Sequence, residues 1–423
     1  MRRRAPQEGR RRSSSCQHSL TVGTTPSEAG SHDRLPTRRF GVSPILRNVA
    51  RISRRLFLAA PILLAQPRKP RVACILNAYF PDSHADVFVS RLLDGYRLDH
   101  AWHDPRLETV SFYVDQFPKN DMARDQAEEH GIKIYPSVAE AMRLGGSRIA
   151  VDAVAVIGEH GVYPRTARGN VMYPRKRYFD EITRVMREEN RVLPMYQDKY
   201  FAYEWADAKR MYDRAREMKI PMLCGSTVPL AWERPPLHLG RDVHYSEVLT
   251  TSYSDIEEHA YHGIELLQAM AERRAGGETG VAGVRWLKGE EVWNQRSLLD
   301  AALPYRINAV PEGSSEPPEA FLIRYRDGLP GAVLHLNSMT RDYLFAARLK
   351  GQTAPVATCF YIQLGLHNHW SFMVRNFEDL VLTHKEPNPI ERTLVANGIL
   401  LAGLESRLRG GTWVDTPELA ISY

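Results

Sequence analysis

From residue 71 to residue 224 the chain alternates six short apolar runs with amphipathic stretches, and few architectures accommodate that rhythm. The runs cover residues 71–76, 108–114, 131–135, 151–157, 192–196 and 220–224, and they lack a polar face. A strand that is apolar on both sides must be covered on both sides, which is the condition of a parallel sheet between two layers of helices. Helical signals fall between most of the runs, over 86–96, 121–130, 138–144, 177–189 and 205–218. Right-handed crossovers then predict an α/β unit over 71–225, a doubly wound parallel sheet of Rossmann-like type.

After about Ser226 the texture changes. A loop with Pro229, Pro235 and Pro236 leads to a long amphipathic helix over 255–274, and alternating segments follow at 281–286, 321–325, 332–337, 345–349 and 357–362. Asp327-Gly328 has the composition of a hairpin turn between two of them. Two helices over 370–382 and 391–408 close the chain, the second stopped by Gly410-Gly411. The expectation for 226–423 is an α+β domain with an open, largely antiparallel sheet.

Charge is distributed unevenly. Residues 1–70 hold 15 Lys and Arg against 3 Asp and Glu, which leaves 41 against 47 from residue 71 onward. The body is therefore mildly acidic, and a surface that tracks nucleic-acid phosphates is not expected. Residues 1–50 are rich in Arg, Ser, Thr, Gly and Pro without apolar periodicity, the composition of a disordered basic extension. Residues 51–70 contain Arg54-Arg55, an aromatic two positions on at Phe57, and an apolar stretch to Ala65. This resembles a twin-arginine export signal, too short for a stable membrane anchor, and a start at Val49 would give it ordinary length. Such a signal implies an extracytoplasmic (periplasmic) destination and the export machinery for folded proteins as a partner. Of the four cysteines, Cys16, Cys74, Cys224 and Cys359, none forms a CxxC pair, and the last three are expected to be buried small hydrophobes.

In an open parallel sheet reactive groups gather beyond the carboxyl ends of the strands. Those ends present Asn77 through Asp86, then Asp115, then Gly158-Glu159-His160-Gly161, then Asp198-Lys199-Tyr200. With His84-Ala85-Asp86 opening the first helix, the strand Val151-Asp152-Ala153-Val154-Ala155-Val156-Ile157, a lysine after the fifth strand and the terminal stretch from Asn388-Pro389-Ile390-Glu391 to Gly410-Gly411, residues 71–423 resemble the Gfo/Idh/MocA family of nicotinamide-dependent sugar oxidoreductases.

The resemblance implies hydride transfer between NAD or NADP and a sugar, cyclitol or related polyol, in a homo-oligomer. It assigns Lys199, with Asp198 beside it, to the substrate-side lysine motif, where a cation favours alkoxide character. It assigns His262 to proton acceptance, with Glu265 one turn on to orient the ring. Cofactor contacts fall to Asn77, Ala78 and His84 in the first turn, Asp115 at the ribose, and Glu159 and His160 at the nicotinamide.

One departure from the family pattern leaves other readings open. The stretch from Leu76 to His84 contains no glycine and includes Pro81, although a Cβ there obstructs both the tight turn and the approach of backbone to pyrophosphate. A cofactor-free sugar-binding or scaffold protein on the same fold is one alternative. A metal-assisted hydrolase or lyase is another, with Asp82, His84 and Asp86 joined by His160, His259 and His262, although Asp82 or Ser83 also suits a helix N-cap.

Overall fold

The computed structural model describes residues 68–310 and 315–423, so the expected basic extension, the export signal and Cys16 lie outside the described residues. Six strands form the first sheet: β1 (Arg71–Leu76), β2 (Glu108–Val114), β3 (Lys133–Tyr135), β4 (Ala153–Ile157), β5 (Met195–Asp198) and β6 (Met222–Gly225). All pair in parallel, in the order β3-β2-β1-β4-β5-β6. This is the doubly wound arrangement, whose order reverses between β1 and β4.

Side chains of β1 alternate between two apolar layers. Val72, Cys74 and Leu76 pack with Phe88, Val89 and Leu92 of α1 (His84–Asp94), whereas Ala73 and Ile75 join the layer that holds Phe179 and Ile182 of α4 (Arg175–Glu188). The first helix starts two residues before the expected position because Ser83 is its cap, its hydroxyl accepting from the Asp86 amide at 3.2 Å. It ends at Gly95, where φ is 99° and a Cβ would run into the His103 carbonyl. The α1 side is completed from far along the chain, by Trp370, Met373 and Phe377 of α8 (Trp370–Thr383).

The second sheet has eight strands: β7 (Trp232–Arg234), β8 (Tyr245–Ser252), β9 (Val281–Lys288), β10 (Glu319–Tyr325), β11 (Pro330–His335), β12 (Tyr343–Leu349), β13 (Val356–Tyr361) and β14 (Val414–Asp415). Their order is β14-β9-β10-β11-β8-β12-β13-β7. Only β8 and β11 pair in parallel, and Asp327-Gly328 lies in the turn between β10 and β11 as expected. Helices α6 (Glu258–Ala271) and α9 (Ile390–Leu408) cover one face. The fit is close at Gly263, where an added Cβ would lie 2.9 Å from Val333 Cγ1. The opposite face is covered in part by α7 (Arg296–Ala302), whose Leu298 and Leu299 pack with Leu249, Leu334 and Leu344.

Cys74, Cys224 and Cys359 are buried free thiols, in line with their apolar surroundings in the sequence. No helix among the described residues is long and apolar enough to cross a membrane.

Candidate functional site

The carboxyl ends of the first sheet face the start of α6 across a cavity of about 260 Å³. Six imidazoles line it, those of His84, His160, His259, His262, His367 and His369. Four come from the segments after β1 and β4 and from α6, and two more arrive on the turn that precedes α8, so residues scattered through the sequence meet at one point.

His84 and Asp198 form its best-defined pair. Asp198 ends β5 with a side chain 1% exposed, and its Oδ2 lies 2.6 Å from His84 Nδ1. The Tyr196 hydroxyl donates to the other carboxylate oxygen at 3.2 Å. A carboxylate only accepts, so it fixes a proton on Nδ1 and leaves Nε2 as the ring nitrogen open to a substrate. The His84 ring packs edge-on against Trp370 and His160, at centroid distances of 4.7 and 5.1 Å.

Lys199 follows directly, in the left-handed conformation with φ of 58°, held by a two-way backbone pairing with Gly225. Its side chain is 3% exposed, and Nζ donates to Glu159 Oε1 and to the Glu258 carbonyl, each at 3.2 Å. The buried Arg175 guanidinium takes the other Glu159 oxygen. Burial alone would push the Glu159 carboxyl up, but Lys199 and Arg175 outweigh it and hold it at about 2. Burial likewise opposes the charge on Lys199, and Glu159 more than restores it, so the lysine is a fixed cation and not a proton-accepting amine.

His262 lines the cavity one turn into α6, with Nδ1 2.6 Å from Ser226 Oγ. Glu265 does not orient this ring: its carboxylate accepts from the Ser226 amide, the Tyr261 hydroxyl and Thr393. Burial, and then the Lys199 charge, drive the His262 imidazole well below its ordinary value, so it is neutral. Burial also lowers His160 to about 4, and His259 and His369 each to about 3. Among the described residues, His160 Nε2, His259 Nδ1 and His369 Nδ1 are buried without a hydrogen-bond partner, a costly condition that a polar ligand would relieve.

The residues assigned to the dinucleotide are occupied by the chain itself. Asn77 donates its side-chain amide to the His160 carbonyl (3.2 Å) and accepts from the Tyr178 hydroxyl (2.8 Å), and Ala78 is 1% exposed. Asp115 accepts from the Tyr113 hydroxyl (2.7 Å), the Tyr163 hydroxyl (2.8 Å) and the Arg177 guanidinium. Gln116 and Val162 exchange two hydrogen bonds, of 2.8 and 3.0 Å. The 158–163 loop leaves the end of β4 and is fastened to residues at the end of β2, so it passes over the end of β1, where the pyrophosphate of a dinucleotide would rest.

The first βα corner is equally unreceptive. Tyr79 turns inward, its hydroxyl 2.7 Å from Ser90 Oγ, while Phe80 packs edge-on against His160 at 5.4 Å. The Ser83 hydroxyl takes the Phe80 and Asp86 amides, and the Asp86 carboxylate takes the Asp82 amide, so α1 presents acids where a pyrophosphate needs donors. These residues do not fit a dinucleotide in this arrangement.

The metal alternative fares no better. Among the described residues no three His, Cys, Asp or Glu side chains group so as to hold a metal ion, and Asp86 spends its other oxygen on Ser90.

Several members of the site escaped the sequence reading. Ser226 and Arg175 act through burial and partnership, which periodicity does not report. Arg341, on the loop before β12, lies in a stretch without a motif. The repeated histidines were the available signal, since His259, His262, His367 and His369 stand in two short pairs.

Neither a family model nor a curated protein matches the chain. Solved structures do. A probable dehydrogenase from Thermotoga maritima shares 13% identity over 82% of this chain and 99% of its own, with a TM-score of 0.54. A myo-inositol dehydrogenase from Corynebacterium glutamicum shares 12% over 82% and 99%, with a TM-score of 0.53. An oxidoreductase from Agrobacterium radiobacter in complex with NAD+, L-tartaric acid and magnesium shares 14% over 82% and 98%, with a TM-score of 0.52. The two-domain fold expected from the sequence, a doubly wound parallel sheet followed by a largely antiparallel one, is therefore that of known dehydrogenases.

Proposed function

We propose that this protein binds a small polyhydroxylated molecule of the carbohydrate or cyclitol class in the histidine-lined cavity and acts on it by general acid–base catalysis. The observation that carries this reading is the His84–Asp198 pair opening onto that cavity beside the fixed Lys199 cation. His84, kept in one tautomer by Asp198, accepts the proton, and Lys199 steadies the oxyanion that forms. The protonated His84 returns the proton, and His262, neutral and steered by Ser226, bonds a second hydroxyl. The cavity suits one sugar-sized ring, being smaller than the roughly 300–1,000 Å³ of ordinary ligand pockets.

The solved inositol dehydrogenase of this fold favours a polyol as ligand, and the NAD-containing neighbour favours a second reading, NAD(P)-dependent oxidation of the same polyol. That reading asks the 158–163 loop to leave Asp115 and Gln116. The export-type segment at residues 51–70 supports work outside the cytoplasm, where a site independent of a diffusible nucleotide is at an advantage. Two measurements on the purified protein separate the readings: calorimetry with myo-inositol and other small polyols, and NADH fluorescence titration. Acid–base chemistry without nucleotide predicts polyol binding and no NADH binding. Saturable NADH binding establishes the oxidoreductase instead.

A further inference from the structure

Arg341 lines the inner cavity together with Tyr253 and Ser254, and the same three residues line an outer groove of about 930 Å³. Arg341 thus stands where the two spaces meet. It is half-buried, and among the described residues it makes no side-chain hydrogen bond and no ion pair.

Among the described residues, the carboxylates that line the groove beside Arg341 have partners of their own. Asp255 takes the Glu257 and Glu258 amides and faces Arg165, Glu316 accepts from Asn337, and Glu319 accepts from Trp286 and lies 3.3 Å from Arg407. Asp342, next in sequence, accepts from Ile307 and Asn308. Inside the cavity, Glu258 takes the Tyr173 hydroxyl, the largely exposed Asp82 carboxylate lies 3.7 Å from His367, and Lys199 is already paired with Glu159. A half-buried arginine with no ion-pair partner among the described residues calls for one.

The orphaned imidazole nitrogens point independently to a polar ligand in the same space. His369, 4% exposed, is the most deeply set of the three. One unpaired positive charge matches one carboxylate. A phosphate dianion would call for more cation than this cavity leaves free. We infer that the ligand is a sugar acid, its carboxylate paired with Arg341 and its hydroxyls bonded to the imidazoles around it.

This rests on the reading of the cavity as a polyol site and narrows it. It also agrees with base chemistry that needs no oxidant. When His84 takes the proton from the carbon next to a carboxylate, the electron pair passes into the carboxylate as an enediolate, whose charge Arg341 offsets. His84 then returns its proton to that carbon, or gives it to the neighbouring hydroxyl as that group leaves as water, and is neutral again.

The test is calorimetry at low salt on the purified chain with D-glucuronate, D-galacturonate and D-gluconate, against myo-inositol, D-glucose and glucose 6-phosphate. At least one sugar acid is expected to bind roughly ten- to a hundredfold more tightly than its neutral counterpart, the range for a charge-assisted, bidentate contact. Arg341→Met should remove that margin without changing the melting temperature, and Arg341→Lys should keep part of it. Equal binding of neutral and acidic sugars, tighter binding of the phosphate, or an undiminished margin in Arg341→Met overturns this inference and leaves the polyol site standing. Failure of every compound overturns both.

Discussion

Asp198 and His84 stand 114 residues apart in sequence and 2.6 Å apart in space, one at the end of β5 and the other at the first position of α1. The pair spans the switch point of the first sheet, since β5 lies on the β4 side of it and α1 follows β1. The sheet order therefore supplies the constellation, and the Ser83 cap sets where His84 projects.

Asp198→Asn should keep the fold and lose turnover. An amide can donate to Nδ1, which places the proton on Nε2 and removes the lone pair from the cavity. A fall of roughly 10²–10⁴ in kcat is expected, on the compound that calorimetry selects, as for loss of a positioned base. The nitrogen-15 shifts of His84 should report the changed tautomer, an effect that a merely structural role would not produce. A variant with unchanged shifts and full turnover would remove the dyad from the mechanism.

Stability should reach its maximum near pH 7. His160, His259, His262 and His369 are held below their ordinary 6.5, so between pH 6.5 and their folded values the unfolded chain binds more protons, and acid destabilises. Glu257 and Glu265 are raised from 4.5 to about 7, chiefly by burial, so their contribution is present below pH 4.5 and lost as the pH rises to 7. Over the shared window these four imidazoles outweigh the two carboxyls by two protons, and His335 and His367, also lowered by burial, act in the same direction. At about 1.4 kcal/mol per proton per pH unit, the two protons alone give a slope of about 3 kcal/mol per unit. Guanidinium midpoints taken from pH 4.5 to 8 check this; a maximum near pH 5 contradicts the burial of neutral histidines.

Removing the shared anion should cost more than removing either cation. Glu159→Gln leaves Lys199 and Arg175 both buried against a neutral amide, for a loss of about 3–5 kcal/mol. Lys199→Met leaves Glu159 still paired with Arg175 and should cost less. The Glu159 contribution is complete above pH 4.5 and is lost as pH falls toward 2, because the folded value lies below the unfolded one. Urea titrations of both variants at pH 7 decide the order, and a greater loss in Lys199→Met would reverse the assignment of Glu159 as the hub.

The sequence carried the fold further than the site. Unbroken apolar runs such as residues 71–76, alternating with helical stretches, point to covered strands, and that rhythm predicts the doubly wound parallel sheet that the structure has. Lys199, His262 and Asp198 were legible as strand-end or early-helix polar groups, and the structure gathers them around one space. The resemblance that placed Asp115 at a ribose had no view of Tyr163 and Arg177, which satisfy the same carboxylate from the loop and helix after β4. A hydrogen bond between distant segments leaves no periodic trace. Glu265 shows the same limit: helical spacing puts it beside His262, but its carboxylate turns to Ser226, Tyr261 and Thr393.

Gly225 links stability to the site. Its φ of 113° is outside the range that side-chain-bearing residues adopt at low cost, and a Cβ there would collide with the Glu265 carboxylate and lie 3.0 Å from Thr393 Oγ1. Its amide and carbonyl also hold the Lys199 backbone, at 3.1 and 3.3 Å. Gly225→Ala is therefore expected to cost about 2–4 kcal/mol, strain plus displacement of a buried carboxyl. It should also weaken ligand binding, because Lys199 loses the pairing that keeps it left-handed. Gly169→Ala is the control, since φ there is 96° but nothing lies within 4 Å of the added Cβ. It should cost only the backbone strain, about 1 kcal/mol, and leave binding unchanged. Equal losses in the two variants, read from thermal and denaturant melts, would show that conformation alone matters at Gly225 and that its neighbours yield without resistance.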